Sequence, residues 1–258
     1  MLQGLMNSTA GALVQEARLN TVSNNMANLN TTGYKRDQAV FHHRLAEALE
    51  NPELRRRSNA NHAPLGGGIY LADNWTDHRA MGSEVPTGNP LDLMLKGEGF
   101  FKLTDKDEQA VRYTRAGNFR LNNEGYLTTD DGKWFPVNSR GNRIFAGQNS
   151  EVSFNGNRSI DINGEPADQI MAVKFKSEDL PWLRKEGENL FVAEKKMDER
   201  EFNGSLLVEY LESSTVDMSR EMVEMIQTQR NFDLNMRMIS LQDQTLDRAV
   251  NQVGSVPL

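Results

Sequence analysis

Three acidic residues, Glu124, Asp130 and Asp131, are the strongest candidates for catalysis in this chain of 258 residues. A pair of carboxyl groups roughly 5 to 9.5 Å apart can hydrolyse a glycosidic bond, one acting as general acid and the other as nucleophile or base. Nothing in the sequence sets such a separation, and Thr129–Gly132 has the composition of a turn. We therefore interpret these acids as surface residues and predict no catalytic site.

Metal and phosphate sites are not indicated either. His42 and His43 are adjacent, so on a helix they point to different faces, and no third ligand stands at a suitable spacing. Residues 129–132 resemble a fragment of a calcium loop but lack the other ligand positions. The glycines at 97–99 and 66–68 are not followed by the Lys-Ser/Thr pair of a phosphate-binding loop. The chain also has no cysteine, so we predict no metal and no cofactor.

The composition argues against two classes of partner. The formal net charge is -7 and the pI is about 5.3, whereas sequence-independent binding of nucleic acid requires clustered Lys and Arg. No stretch is long and apolar enough to cross a bilayer. The N-terminal segment lacks the basic start and the continuous apolar run of a cleaved signal peptide. We expect no nucleic acid, no membrane insertion and, for any role outside the cytosol, export without a cleaved signal.

The N-terminal residues predict a long helix over about 2–28, ending where residues 30–33 bring turn chemistry and a glycine that tolerates positive φ. Two rows of side chains follow the helical period. One alternates spacings of four and three and the other repeats every seven residues: Met6, Ala10, Leu13, Ala17, Asn20, Asn24 and Ala27, and then Leu5, Ala12, Leu19 and Met26.

The C-terminal residues give the clearest periodic signal and predict a helix over 216–252, about 50 Å long. Ser214 and Asp217 fit a capping box at its start. The spacing is that of a heptad seam, in which Gln229 and Asp243 set the register. A helix of this length requires a partner, so we expect the two terminal helices to pack against each other and against neighbouring copies. The seam is Met218, Met222, Met225, Gln229, Phe232, Met236, Ile239, Asp243, Leu246, Val250 and Val253.

Methionine is frequent on this C-terminal segment, at Met218, Met222, Met225, Met236 and Met238. Thioether side chains adapt to varied surfaces, which allows a promiscuous binding groove. The heptad spacing favours a packed coiled-coil core instead. Both interpretations place neighbouring subunits at the same surface.

Between the helices, short apolar alternations separated by Gly, Asn and Asp predict an all-β region. Asn155-Gly156, Asn163-Gly164 and Asn203-Gly204 favour tight hairpin turns, whose two central residues both adopt positive φ. Residues 122–125 predict a further turn. The predicted strands are Val152–Phe154, Ser159–Ile162, Ile170–Phe175 and shorter runs around Phe100, Phe101, Leu103, Tyr113, Phe119, Leu121, Tyr126 and Leu127.

Pro, Arg and Gly cluster over residues 51–68, which indicates a linker, and the Arg55–Arg57 run there is typical of a solvated loop. The predicted fold class is α+β, with long N- and C-terminal helices forming a coiled-coil-like axial domain and with a central all-β domain. The predicted divisions are residues 1–36 for the N-terminal helix and the segment after it, 37–75 for a variable connection, 76–213 for the β domain and 214–258 for the C-terminal helix.

Four ordered blocks resemble the signatures of flagellar rod and hook proteins. The first, Val22–Arg36, holds a Ser-Asn-Asn-Met-Ala-Asn run followed by Thr-Thr-Gly-Tyr-Lys. The second is Gly88–Phe101, the third combines 113–119 with 125–127, and the fourth lies within 204–232. The blocks cover roughly residues 1–36, 76–135 and 204–250. The signature residues are Ser23, Asn24, Asn25, Ala27, Asn28, Thr31, Thr32, Gly33, Tyr34, Lys35, Gly97, Gly99, Phe100 and Phe101.

The resemblance implies a structural subunit of the bacterial flagellar basal-body rod and not an enzyme. Such a subunit is exported unfolded by the flagellar type III apparatus and assembles into a hollow helical axis, the part of the basal body that spans the periplasm. The implied partners are further copies of the chain, other rod and hook subunits, the export apparatus and the rings around the rod. The length of the chain favours a proximal or distal rod subunit over a hook protein, which carries extra outer domains.

Assembly is expected to rest on the terminal helices, since contacts between different faces of identical subunits generate helical polymers when they do not close into rings. We expect both termini to be largely disordered in the monomer and helical in the assembly. Asn24, Asn25, Asn28 and Gly33 are expected to shape the exit of the N-terminal helix. The predicted assembly residues are Leu5, Leu13, Leu19, Met26, Met222, Met225, Phe232, Met236, Ile239 and Leu246.

Two alternatives stay open from the sequence. One is a peptidoglycan-binding or wall-active β-domain protein that uses Glu124, Asp130 and Asp131. Replacing these acids by amides and assaying binding and hydrolysis of peptidoglycan tests it. The other is a short hook-type subunit, which differs from a rod subunit in its location.

Overall fold

The computed structural model describes residues 2–43, 69–148, 150–187 and 189–253, and in these ranges the chain divides into two compact units. The helical unit contains residues 2–27, 37–43, 69–75 and 217–253. The β unit contains residues 28–36 and 76–216. Both units therefore include residues from near the two ends of the chain. The predicted linker at 51–68, with Arg55–Arg57 in it, lies outside the described residues.

Two long helices dominate the helical unit: α1 (Leu2–Ala27) and α2 (Met218–Val253). The sequence predicted both helices, and their observed ends differ from the predicted ones by two residues or fewer. A two-stranded sheet of β1 (Asp37–His43) and β2 (Ile69–Thr76) accompanies them. This sheet lies in the stretch for which the sequence predicted only a connection, and His42 and His43 end its first strand instead of lying on a helix.

The start of α2 differs from the predicted capping box. The Asp217 carboxylate accepts hydrogen bonds from the backbone N–H groups of Ser219, at 2.9 Å, and Arg220, at 3.2 Å. Asp217 is therefore the N-cap. The Ser214 hydroxyl instead accepts the N–H of Val216, at 3.3 Å, before the helix begins.

The two helices run antiparallel, because positions early in α1 lie opposite positions late in α2. A Cβ built on Gly4 would lie 3.0 Å from Nε2 of Gln242, and one built on Gly11 would lie 3.1 Å from Oδ1 of Asn235. Side chains thus approach the α1 backbone closely at both glycines. Close approach between helices requires small residues at the contact, which α1 supplies.

The face of α1 that meets α2 is not the face marked by the four-three row of the sequence analysis. At about 100° per residue, Gly4 and Gly11 lie roughly on the opposite side of α1 from Met6 and Leu13. Accordingly, Met6 is 69% exposed and Leu13 is 60% exposed. Gly4 and Gly11 therefore lie on the side of α1 that faces α2, and the row that contains Met6 and Leu13 faces outward.

Over its described residues, the β unit has sixteen short strands and one 3₁₀ turn, Leu180–Trp182. The strands are β3 (Glu84–Pro86), β4 (Leu93–Lys96), β5 (Phe100–Thr104), β6 (Val111–Thr114), β7 (Arg120–Leu121), β8 (Leu127–Thr128), β9 (Phe135–Pro136), β10 (Val152–Phe154), β11 (Ser159–Ile162), β12 (Glu165–Gln169), β13 (Ala172–Lys174), β14 (Leu183–Lys185), β15 (Leu190–Ala193), β16 (Arg200–Glu201), β17 (Ser205–Val208) and β18 (Tyr210–Glu212).

The largest sheet in the β unit has seven strands, in the order β14-β15-β6-β5-β13-β16, with β9 also paired to β5. A separate three-stranded sheet has the order β10-β11-β12. The remaining strands form the antiparallel pairs β17–β4, β18–β3 and β7–β8. The last two strands of the unit therefore pair with its first two.

The core of the β unit lies on both faces of the large sheet. Phe100 and Phe101 are neighbours on β5, and successive side chains of a strand point to opposite faces. Phe100 packs at 5.3 Å from the ring of Phe191 in one cluster, and Phe101 packs at 5.3 Å from the ring of Phe119 in the other. The paired aromatics in the sequence thus correspond to a strand that is buried on both faces.

The three Asn-Gly predictions have different outcomes. Asn163-Gly164 joins β11 to β12 with φ values of 54° and 84°, so the predicted tight turn is confirmed. Asn155-Gly156 belongs instead to a four-residue loop in which Arg158 has a φ of 65°. Asn203-Gly204 is not a hairpin turn, because β16 and β17 lie in different sheets.

The other strand predictions agree well with the structure. The strands predicted at 152–154 and 159–162 are observed with the same ends. The turn at 122–125 joins β7 to β8. The strand predicted over 170–175 is shorter, Ala172–Lys174.

Candidate assembly site

The exit of α1 is fixed by Asn25, which is fully buried within the helical unit. Its Oδ1 accepts the backbone N–H of Asp37 at 3.0 Å, and its Nδ2 donates to the backbone carbonyl of Asp37 at 2.8 Å. Nδ2 also donates to the Glu221 carboxylate on α2, at 3.2 Å. Since an amide can accept and donate at once, one side chain joins the end of α1, the start of β1 and the first turn of α2.

The segment after α1, residues 28–36, is called the signature segment, and it lies inside the β unit beside the end of β18 and the residues that follow it. The N–H of Gly33 donates to the carbonyl of Glu212 at 2.8 Å, and the N–H of Thr215 donates to the carbonyl of Tyr34 at 3.0 Å. The N–H of Arg36 donates to the Thr215 hydroxyl at 2.8 Å. Residues near the two ends of the chain are thus held together by backbone hydrogen bonds.

Gly33 is required at its position for two reasons. Its φ of 68° is in the left-handed region, which favours glycine. A Cβ built on it would lie 2.6 Å from the carbonyl carbon of Arg115, which is closer than Cβ atoms approach backbone. Any side chain here displaces either the signature segment or the backbone at Arg115.

A buried group of three charged residues, Lys35, Arg115 and Glu212, forms what we call the charge cluster. Lys35 Nζ lies 2.5 Å from Oε1 of Glu212, and Arg115 Nη1 lies 3.3 Å from Oε2, with side chains that are 0% exposed. Lys35 also donates to the carbonyl of Ala80 at 2.5 Å, and Glu212 accepts the N–H of Gly82 at 2.9 Å. The carboxylate therefore holds both cations and a loop backbone.

Arg115 extends the charge cluster to the turn that precedes β5. It donates to the carbonyls of Leu95, at 3.1 Å, and Gly97, at 2.6 Å. Its guanidinium carbon lies 5.4 Å from the centre of the Phe100 ring, in cation–π geometry. A Cβ built on Gly99 would lie 2.5 Å from the ring of Phe202, so this turn also needs a glycine.

Two cations share one carboxylate in the charge cluster. Burial lowers the pKa of Lys35, the Glu212 carboxylate opposes that shift, and the nearby Arg115 adds to it. Burial likewise lowers the pKa of Arg115, and Glu212 opposes the change. Removing the carboxylate leaves two uncompensated buried cations, which is far more destabilising than removing an exposed ion pair.

Lys35 is one of the signature residues named from the sequence, whereas Arg115 and Glu212 were not predicted as site residues. Both lie inside blocks that carry the resemblance, in Tyr113–Phe119 and at Glu212–Ser214. Arg115 follows Thr114 at the end of β6, and Glu212 ends β18, so neither lies between apolar strand residues and no local pattern marks their burial. The structure places Gly33, Tyr34 and Lys35 in buried positions and Ser23, Asn24 and Ala27 in exposed ones.

The ten predicted assembly residues fall into two groups. Seven are half-buried along the helices and three are exposed. The half-buried ones are Leu5, Leu19, Met26, Met225, Phe232, Ile239 and Leu246, and the exposed ones are Leu13, Met222 and Met236. Further exposed apolar side chains on the helices are Met6, Met218, Val223, Ile226, Leu234, Met238 and Leu241. The helical unit thus presents apolar side chains to solvent along most of its length.

The carboxylates considered for catalysis lie on the surface of the β unit beside cations. Glu124 lies 3.8 Å from Lys106, and Asp130 pairs with Arg120. Asp131 accepts a hydrogen bond from the Thr129 hydroxyl. Elsewhere in the part of the chain that the structure describes, no three His, Cys, Asp or Glu side chains are grouped for a metal ion, and neither helix is apolar enough over its length to span a membrane.

We predict that Gly33→Ala destabilises the β unit by roughly 3 kcal/mol or more, because left-handed strain of about 1–2 kcal/mol is added to a backbone clash. Gly132→Ala is the matched control. Its φ of 73° is similar, but a Cβ there meets nothing within 4 Å, so only the strain is expected. Urea unfolding followed by tryptophan fluorescence measures both changes, and equal losses for the two variants contradict the close approach at Arg115.

We also predict that Asn25→Asp destabilises the helical unit by roughly 3 kcal/mol or more. The replacement removes both hydrogen bonds that Nδ2 of Asn25 donates, and it adds a second buried carboxylate next to Glu221. Asn20→Asp on the exposed face of α1 is expected to change the free energy of unfolding by about 0.5 kcal/mol at most. Circular dichroism at 222 nm during urea unfolding gives both values. A small loss for Asn25→Asp refutes the bridging role of this amide.

Protein-family models match three segments of the chain. The flagella basal body rod protein model matches residues 6–35. The flagellar hook protein FlgE/F/G D1 domain matches residues 94–164. The flagellar basal body rod FlgEFG protein C-terminal model matches residues 208–253. Each matched segment contributes one residue of the charge cluster.

Whole-length relatives agree with these matches. The flagellar basal-body rod protein FlgG of Caulobacter vibrioides is 30% identical over 98% of this chain and 100% of its own length. FlgG of Bacillus subtilis is 32% identical over 97% of this chain and 99% of its own. The flagellar hook-basal body complex protein FlhO of Bacillus subtilis is 27% identical over 99% of this chain and 100% of its own. The chain therefore belongs to the family of flagellar basal-body rod proteins.

Proposed function

We propose that this rod protein polymerises through its two terminal helices and thereby forms part of the axial drive shaft. Proteins of this family are structural subunits of the flagellar basal body and not enzymes, and they assemble with other rod and hook subunits. Polymerisation through the terminal helices is supported by one observation, the large apolar side chains that the helical unit exposes to solvent. Leu13, Leu234 and Leu241 are 60%, 58% and 57% exposed.

The apolar side chains of α2 form two stripes. At about 100° per residue, Met218, Met222 and Met236 lie on one flank of the helix, next to the half-buried Met225 and Phe232. A second stripe lies on the side away from α1 and consists of Val223, Leu234 and Leu241. Two stripes allow each helix to contact more than one neighbour, as the interior of a helical polymer requires.

Each copy presents these surfaces in the same orientation, so contacts between different faces of successive copies extend into a helical array. The four-three spacing on the flank of α2 supports coiled-coil-like packing against neighbouring helices. The division predicted from the sequence stays part of this proposal, with residues 1–36 and 214–258 in an axial domain, 37–75 in a variable connection and 76–213 in a central β domain. Ordering of the termini on assembly stays a prediction.

The wider partners follow from the family. We propose that the type III export apparatus delivers the chain without a cleaved signal peptide, and that the rod it forms spans the periplasm inside the surrounding ring proteins. The exposed carboxylates at Glu124, Asp130 and Asp131 lie beside cations, which supports a surface role for them.

Electron microscopy of basal bodies tests the proposed role. Basal bodies purified from cells that lack this chain are compared with those from complemented cells, and rods and hooks are scored. We expect truncated rods without hooks, and the point where growth stops gives the position of the subunit. Intact rods with normal hooks contradict the proposal.

We predict that Leu13→Asp and Met222→Asp prevent assembly while leaving the monomer folded. Both side chains are exposed, so their replacement is expected to change the free energy of unfolding by about 1 kcal/mol at most. Burying a new carboxylate between neighbouring copies is strongly unfavourable. Gln244→Asp, at an exposed polar position of α2, is the matched control and is expected to assemble.

Motility and basal-body micrographs of strains that carry each variant give the result, with circular dichroism of the purified proteins to verify folding. Normal rods containing Leu13→Asp or Met222→Asp show that these faces are not the interface. The same comparison extends to Met225→Asp and Phe232→Asp, whose side chains are half-buried.

A further inference from the structure

We propose that the charge cluster of Lys35, Arg115 and Glu212 acts as a gate during folding. It prevents the signature segment from docking on the rest of the β unit until the segment that contains Glu212 is present. In an incomplete chain the two cations oppose docking of residues 28–36. When Glu212 pairs with both of them, the segment docks and the β unit closes.

The order of Lys35, Arg115 and Glu212 along the chain supports this gate. A chain that is synthesised or delivered N-terminus first presents Lys35 early, Arg115 near the middle and Glu212 late. All seven strands of the large sheet lie within residues 100–201 and therefore precede Glu212. The large sheet can therefore form before the carboxylate is present.

The state without Glu212 is electrostatically unfavourable. Lys35 retains the carbonyl of Ala80, and Arg115 retains the carbonyls of Leu95 and Gly97, but these neutral acceptors do not neutralise the two charges. Asp77 attracts Lys35, and Glu98 attracts Arg115, through charge alone and without a hydrogen bond. Two like charges taken out of water with no carboxylate between them repel each other and lose their hydration.

The backbone contacts of the signature segment depend on the same late residues. Gly33 donates to the carbonyl of Glu212, and Tyr34 and Arg36 bond to Thr215. Strands β17 and β18 pair with β4 and β3 in the same step. One short segment, residues 205–215, therefore both neutralises the two cations and completes the backbone pairing. Docking of the signature segment thus depends strongly on this segment.

Pulsed hydrogen–deuterium exchange during refolding of the full-length protein from urea tests the gate. The amides of Gly33 and Thr215 report docking directly, because their hydrogen bonds join the signature segment to residues 212–215. The amides of the β5–β6 pair report the large sheet. We expect the sheet amides to be protected before those of Gly33 and Thr215.

The variants separate a gate from general stability. In Glu212→Gln, protection at Gly33 and Thr215 is expected to form at least tenfold more slowly, with the β5–β6 amides unchanged. In the double variant Lys35→Met/Glu212→Gln, removal of one cation is expected to restore the docking rate to within about threefold of the wild type. Glu194→Gln, which alters an exposed ion pair with Arg184, is the control and is expected to behave like the wild type.

Three results overturn the proposal. The first is an unchanged docking rate in Glu212→Gln. The second is equal slowing of the β5–β6 amides, which indicates a loss of stability throughout the unit. The third is a double variant as slow as Glu212→Gln, which indicates that packing and not charge controls docking.

Discussion

One buried carboxylate, that of Glu212, holds together parts of the β unit that are far apart in sequence. It binds Lys35 near the start of the chain, Arg115 in the middle and the backbone of Gly82. Through Arg115 it also fixes the carbonyls that surround the turn before β5. Because both cations are fully buried, this geometry is tolerated only while the carboxylate is present.

The charge cluster is better understood as a device for specificity than for stability. Burial is the main cause of the lowered pKa values of Lys35 and Arg115, and the Glu212 carboxylate opposes the shift in both groups. What the cluster provides is a single permitted arrangement. Gly33 adds a steric condition to the electrostatic one, since its backbone lies against Arg115 with no room for a side chain. Together they define where the signature segment lies.

Local patterns in the sequence were sufficient for both helices and for part of the β region, but not for the β1–β2 sheet or for the faces that the helices bury. The helix ends, the strands at 152–154 and 159–162 and the turn at Asn163-Gly164 follow from periodicity and turn chemistry. Asn203-Gly204 failed because the dipeptide joins strands of different sheets, which only tertiary structure decides. The roles of Arg115 and Glu212 were missed for the same reason, because their partners lie far away along the chain.

The outward position of the apolar row on α1 follows from what holds the two helices together. Gly4 and Gly11 allow Gln242 and Asn235 of α2 to approach the α1 backbone, and Asn25 donates a hydrogen bond to Glu221. Apolar side chains take part as well, since Val22 of α1 is buried and Phe232, Ile239 and Leu246 are half-buried on the side of α2 that carries Asn235 and Gln242. This mixed apolar and polar contact uses one side of each helix. It therefore leaves Leu13, Leu234 and other large side chains unused within the chain. Exposure of these apolar side chains to water is unfavourable, and the proposed assembly removes them from solvent. The same two helices thus use one set of side chains within the chain and offer another set to neighbouring copies.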